Sequence, residues 1–224
     1  MMNRNLVFAS VLVFVMATII AVGGARHAAA DSTTASLDQM INIDLADDTL
    51  LGALSKLAIE YRVPIGFEQA IDSRHNVNRH IYLQNGTLKT VLDSLVAQEP
   101  RYKWELRDGA INVTPIFGRD EFLVRFLDTK LAQFEPPMQT TDKFKLRDAV
   151  LASPEVRKLL EANGVTVKSY DYPYRRSIYS DDNVNLTMTN INVREVLNNI
   201  AKRTEHKIWS LERVGEKREL LLSY

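Results

Sequence analysis

The chain predicts an α+β fold: two tandem small βαββαβ-type units, each a short sheet with helices packed on one face. Three observations lead there. Apolar residues switch repeatedly between the two-residue period of half-buried strands and the 3.6-residue period of amphipathic helices. Turn-forming residues punctuate those switches at short intervals. Residues 81 to 106 (IYLQNGTLKTVLDSLVAQEPRYKWEL) also lie over 186 to 211 (LTMTNINVREVLNNIAKRTEHKIWSL) with a constant offset of 105 and no gap. In that overlay Asn85 meets Asn190, Val91 and Leu92 meet Val196 and Leu197, and Trp104 meets Trp209. Helical stripes that bury one side against alternating strands place the helices on a single sheet face.

The first 30 residues stand apart from this pattern. Arg4 sits in a short basic stretch, an apolar run extends from Leu6 to Val22, and small residues end in Ala28, Ala29 and Ala30 before Asp31. This is the layout of a secretory signal with cleavage after Ala30. The alternative is an uncleaved segment anchoring the chain in the inner membrane, because the run is long enough to approach a membrane span. Residues 31 to 40 are read as a flexible N-terminus.

The first unit is expected over residues 41 to 115. Ile43 and Leu45 alternate as a strand, Asp47 and Asp48 offer helix caps, and Leu50, Leu51, Leu54, Leu57, Ala58 and Tyr61 form a helical stripe stopped by Val63-Pro64. Val63, Ile65 and Phe67 make the next strand. Ile81 and Leu83 form another, and Asn85-Gly86-Thr87 turns the chain so that Thr87 caps a helix carrying Leu88, Val91, Leu92, Leu95 and Val96. Pro100 ends it. Trp104 and Leu106, placed together on the helix-facing side, lead through an Asp108-Gly109 hairpin to Ile111 and Val113.

Residues 116 to 129 are read as a linker whose Phe122, Val124, Phe126 and Leu127 dock it onto one unit. The second, divergent unit spans 130 to 224. Leu131 to Phe134 is its first strand, and Leu146, Ala149 and Val150 begin a helix that breaks at Ser153-Pro154 and resumes to Ala162, with Gly164 as a left-handed stop. Val165 and Val167 follow as a strand. Leu186 and Met188 form the next, Asn192 with Glu195 is a capping box, and Val193, Val196, Leu197 and Ile200 are the stripe. Trp209 and Leu211, a turn at Gly215, and Leu220 and Leu222 close the unit.

Composition narrows the function. The chain has 28 basic and 28 acidic residues, and removing the signal takes Arg4 and Arg26 with it, so the exported chain is slightly acidic. Bulk electrostatics therefore argue against nucleic acid as a partner. Zero cysteines exclude disulfides, thiolate metal sites and cysteine nucleophiles.

The stretch INIDLADDTLLGALSKLAIEYRVPIGFE followed by IYLQNGTLKTVLDSLVAQEPRYKWELRDGAINVTP resembles the short N-terminal (STN) domain of secretins and TonB-dependent transporters. The likeness lies in the apolar-x-apolar strand before a Leu-rich helix, the short VPIGFE strand, the turn before TLKTVLDSLV, and the YKWELRDGAINV hairpin. The second half shares it more loosely. The resemblance implies a periplasmic module of a Gram-negative bacterium that contacts envelope proteins. It implies no catalytic residue. Because the sequence stops at Tyr224, without residues for a membrane barrel, the expectation is a free or N-terminally anchored pair of modules.

Chemical templates find little purchase. His75 and His80, with Asp72 and Glu68 nearby, lack the spacing of a metal site and read as a solvated loop, and His206 reads as a residue at a helix end. Asp47-Asp48 and Asp181-Asp182 read as caps and turns. No nucleophile motif or glycine-rich phosphate loop is present, and no cofactor is expected. The candidate contact residues are Tyr170, Tyr172, Tyr174, Arg175, Arg176 and Tyr179, in a connection far richer in tyrosine than joining two strands requires. An exposed strand edge is the second candidate. The function expected is a non-catalytic exported protein-interaction module with an envelope protein as partner. The alternatives are an oligomerising assembly subunit and, last, an enzyme.

Overall fold

The computed structural model describes residues 34 to 71, 79 to 136, 140 to 168, 186 to 205, 207 to 214 and 219 to 224. Among these residues six helices pack against three sheets in a mixed α+β fold.

β1 (Met40–Asp48) alternates as its sequence dictates, with Ile41, Ile43 and Leu45 buried, and pairs antiparallel with β3 (Arg79–Thr87) in a two-stranded sheet of its own. Between them run α1 (Leu50–Glu60) and β2 (Ile65–Glu68). The cap of α1 is Thr49, whose hydroxyl accepts from the Gly52 N–H at 3.0 Å. Asp47 and Asp48 are the last residues of β1, which corrects their reading as caps. Asn85 turns left-handed (φ 52°) at the end of β3, and Thr87 caps α2 (Leu88–Gln98) as expected. β4 (Tyr102–Arg107) and β5 (Ala110–Pro115) form the expected hairpin, with Asp108 and Gly109 both at positive φ.

The stretch read as a linker contains α3 (Glu121–Asp128). Asp120 caps it, and Phe122, Leu123, Phe126 and Leu127 bury its inner face. β6 (Lys130–Phe134) follows. α4 (Lys143–Ala152) and α5 (Pro154–Asn163) break at Ser153 and stop at left-handed Gly164, as the sequence indicates. β7 (Thr166–Val167) is brief. β8 (Met188–Asn192) pairs antiparallel with β6, and α6 (Val193–Arg203) begins with the expected Asn192/Glu195 capping box. β9 (Ile208–Val214) and β10 (Glu219–Ser223) pair antiparallel.

Residues 34 to 39, read as part of a flexible leader, are held in place. Ala35 is buried and its N–H reaches the Gly109 carbonyl at 2.9 Å, while Leu37 and Gln39 accept from the first residues of α2.

The central sheet has the order β4-β5-β2-β9-β10-β7. Within it, β5 lies between β4 (antiparallel) and β2 (parallel), and β10 lies likewise between β9 (antiparallel) and β7 (parallel). The two sets of three strands meet where β2 pairs with β9 in parallel. This corrects the expectation of a separate short sheet for each half with helices on one face. Trp104 stands opposite Val113 on β5, whereas Trp209 and Asn112 both flank Gly66 on β2. Adjacent strand residues point to opposite faces, so the two tryptophans lie on opposite sides of one sheet. Each indole N–H bonds the helix beside it, Trp104 to Asp93 of α2 and Trp209 to Asn198 of α6, both at 3.0 Å. Helices therefore cover both faces. Two apolar cores result, one holding Ile65, Phe67, Ile111 and Val113 beneath α1 and α2, the other holding Trp209, Leu211, Leu220 and Leu222 beneath α3, α4 and α6.

The 105-residue correspondence reaches atomic detail. Asn85 and Asn190 are both left-handed, Thr87 and Asn192 both cap, and Asp93 and Asn198 both accept from a tryptophan. It fails at Leu106, which is 45% exposed while Leu211 is fully buried. β4 is an outer strand and β9 an inner one, so identical alternation meets different neighbours.

A buried polar seam as the candidate functional site

A buried cluster of charge lies where the two sets of strands join. Its geometry follows from the four residues of β2. Alternation sends Ile65 and Phe67 into the first core and turns Gly66 and Glu68 to the opposite face, toward α6. Gly66 has Asn112 on one side and Trp209 on the other. A Cβ on Gly66 would stand 2.3 Å from Cζ2 of Trp209, so the indole lies flat over a position that only glycine leaves open.

Glu68 is fully buried and neutralised from two directions. Arg119, just after the β5 turn, grips it as a fork, Nε to Oε1 at 2.6 Å and Nη2 to Oε2 at 2.9 Å. Arg194 reaches Oε2 from α6 at 3.1 Å and directs Nη1 toward Oδ1 of Asn112 at 3.4 Å. The side chain of Arg119 is 38% exposed and that of Arg194 only 3%. The bond to Glu68 raises the pKa of Arg119 further above its already high value. Asn198, one helical turn beyond Arg194, donates toward Asn112 at 3.4 Å and accepts from Trp209 at 3.0 Å. The chain of contacts runs from Arg119 through Glu68, Arg194, Asn112 and Asn198 to Trp209, crossing from the first set of strands to the helix of the second.

A second ion pair supports the same end of the sheet. Asp120 caps α3 through the Phe122 N–H at 2.7 Å and accepts from Arg213 of β9 at 3.0 Å. Chemically, the seam is a clamp. Both oxygens of Glu68 accept from guanidinium donors, which fixes the carboxylate between Arg119 and Arg194.

The equivalent trio in the first half is Lys89, Asp93 and Trp104. There the lysine pairs with the aspartate at 2.6 Å on an exposed helix face, and the ammonium holds Asp93 below the usual carboxylate range. The same three positions thus carry a surface ion pair beside the outer strand and a buried network beside the inner one.

Lys207 flanks the seam from the start of β9. Its carbonyl accepts from Ile65 N–H at 2.7 Å, and its ammonium donates to the Lys202 carbonyl at 3.0 Å. Burial, followed by the nearby charge of Arg62 and opposed by Glu205, lowers its pKa to about 8. A lysine with a depressed folded pKa holds its proton more tightly when unfolded, so the contribution of Lys207 to stability rises with pH between about 8 and 10.5 and is constant below about 8. Burial shifts Lys202 in the same direction, so comparison with a variant isolates Lys207. Denaturant titrations over a pH series should find Lys207→Met most favourable relative to the parent below about pH 8, with the difference shrinking toward pH 10.

The sequence-derived site residues fare differently. Tyr170, Tyr172, Tyr174, Arg175, Arg176 and Tyr179 lie outside the described residues, as do Asp72, His75, Asp181, Asp182 and His206. His80 falls in β3. Glu68, grouped with a solvated loop in the sequence, is instead the buried centre of the seam. Among the described residues, no group of three or more His, Cys, Asp or Glu side chains is placed to hold a metal ion, and no helix is long and apolar enough to cross a membrane.

Sequence reasoning passed over Arg194 and Asn198 because they flank the apolar stripe. Two signals pointed to them: a glycine inside a strand, which marks close approach of another group, and two polar residues four apart beside a helix stripe that faces a tryptophan. Comparison with known proteins adds no relative: no protein-family model, curated protein or solved structure matches the chain.

Proposed function

We propose that the chain is a non-catalytic exported protein-interaction module, built from two tandem βαββαβ-type units fused through one sheet and acting in the periplasm of a Gram-negative bacterium. The resemblance to STN domains supports the location and the class of partner, an envelope protein. The matched capping, left-handed asparagine and indole bonds 105 residues apart support the duplicated unit. The clamp geometry of the seam supports a structural use of its charges.

One observation carries the interaction reading. At the end of β2 and β5, Ile71, Ile116 and Phe117 are 52%, 49% and 70% exposed, and the Ile71 N–H bonds the Gly118 carbonyl at 2.8 Å, drawing the two chain segments together. Apolar side chains grouped at one end of a sheet are typical of a protein-contact surface. The test is a photo-crosslinking amino acid at position 117 in the source bacterium. The reading expects a discrete adduct with an envelope protein in the periplasmic fraction, lost when Ile71 and Ile116 become Asp and absent with the probe at exposed Glu161 of α5. Absence of an adduct, or the same adduct from position 161, overturns it.

A further inference from the structure

β4 ends the central sheet with no strand on its outer side among the described residues. Which of its backbone groups face outward follows from its neighbours. The Ile111 N–H donates to the Pro64 carbonyl at 2.9 Å, on the β2 side, so the flanking residues Ala110, Asn112 and Thr114 turn toward β4 and meet Arg107, Glu105 and Lys103. The bond from Ile116 N–H to the Arg101 carbonyl continues the same alternation. Trp104 and Leu106 therefore project their N–H and C=O groups away from the sheet. The corresponding edge of β9 is filled, since β2 lies along it with Gly66 opposite Trp209.

We infer that a second copy of this chain fills the open edge, β4 pairing antiparallel with β4 about a two-fold axis at Trp104. In that register Trp104 faces its twin and Leu106 faces Tyr102. The charges then alternate correctly: Lys103 stands opposite Glu105 of the second copy and Glu105 opposite Lys103, both exposed in the single chain. Sliding the pair by two residues one way sets Lys103 against Arg107 and Glu105 against Glu105. Sliding it the other way sets Lys103 against Lys103 and, although it brings Glu105 opposite Arg101, cuts the paired part of β4 from Tyr102–Leu106 to Tyr102–Trp104. Charge disfavours the first slide and strand overlap the second, so the register centred on Trp104 stands out. Arg107 and Arg101, which approach at the ends, each already lie beside a carboxylate, Asp108 at 3.6 Å and Glu99 at 2.7 Å. Pairing also covers Leu106, 45% exposed at the sheet's margin. The opposite edge, β7, is only Thr166–Val167 and is too short to line β4 head to tail. A two-fold contact is closed, so it stops at a dimer.

This inference stands independently of export and of the surface at Phe117. The test is sedimentation equilibrium on the purified chain. The parent is expected to be a dimer. Lys103→Glu and Glu105→Lys each create two like-charge pairs and should weaken it about tenfold or more, and the double swap Lys103→Glu/Glu105→Lys should restore it. Leu106→Pro, which removes an outward N–H while leaving the bonds to β5, should give a folded monomer. A monomeric parent, a dimer indifferent to the single swaps, or no recovery in the double swap overturns the inference.

Discussion

Replacing Glu68 by alanine is expected to cost about 3–5 kcal/mol of folding free energy, among the largest effects of any single substitution in the chain. The substitution removes the carboxylate that pairs with Arg194, whose side chain is 3% exposed and whose Nε is buried with no hydrogen-bond partner among the described residues. The fold must then carry an uncompensated buried charge or open the seam to water. Glu68→Gln keeps the shape and loses the charge, and is expected to be nearly as costly. The double variant Glu68→Leu/Arg194→Met should recover much of the loss, because removing both charges also removes their desolvation. Chemical denaturation of these proteins, with Glu68→Leu and Arg194→Met as the matching single variants, measures this. Losses that simply add in the double variant would mean that Glu68 and Arg194 do not act as a pair.

The second large effect lies beneath the indole. Trp209→Ala should cost about 3–5 kcal/mol through the cavity it leaves, with a further loss because Asn198 Oδ1 loses its donor. Trp104→Ala should cost less, since that ring is only half buried beside the outer strand. Gly66→Ala attacks the same contact from the other side. Its Cβ would stand 2.3 Å from a fully buried ring, so one of the two strands must move, at about 1–3 kcal/mol or more. In a Trp209→Leu background the added methyl has room, and Gly66→Ala should become milder. Equal cost in both backgrounds would place the strain elsewhere.

These effects separate what local sequence determines from what it does not. Capping, turn chemistry and helix breaks act over three or four residues, so Thr87, the Asn192/Glu195 box, Ser153-Pro154 and Gly164 were legible. The offset of 105 was legible too, because duplicated core positions keep their residue types. The side-by-side fusion of the halves was not. Whether β2 ends a short sheet or meets β9 depends on contacts between residues about 140 positions apart, and the only local trace was Gly66 inside a strand. Glu68 shows the consequence. Its neighbours Asp72 and His75 give the segment a polar look, but its partners Arg119 and Arg194 come from far along the chain, so a buried charge read as a solvated one. Leu106 erred in the other direction, since alternation gives the face of a strand but not whether the strand is at an edge.

The central claim is that β2, β9 and the Glu68 clamp make one cooperative structure of the two halves. Pulsed hydrogen exchange along a urea titration tests it most directly, by following peptides from α2 in the first core and from α4 and α5 in the second within the same sample. The account predicts that both sets lose protection at one urea concentration, and that Glu68→Ala lowers that midpoint for both together. Two separate midpoints in the parent protein, with Glu68→Ala moving only one, would contradict it.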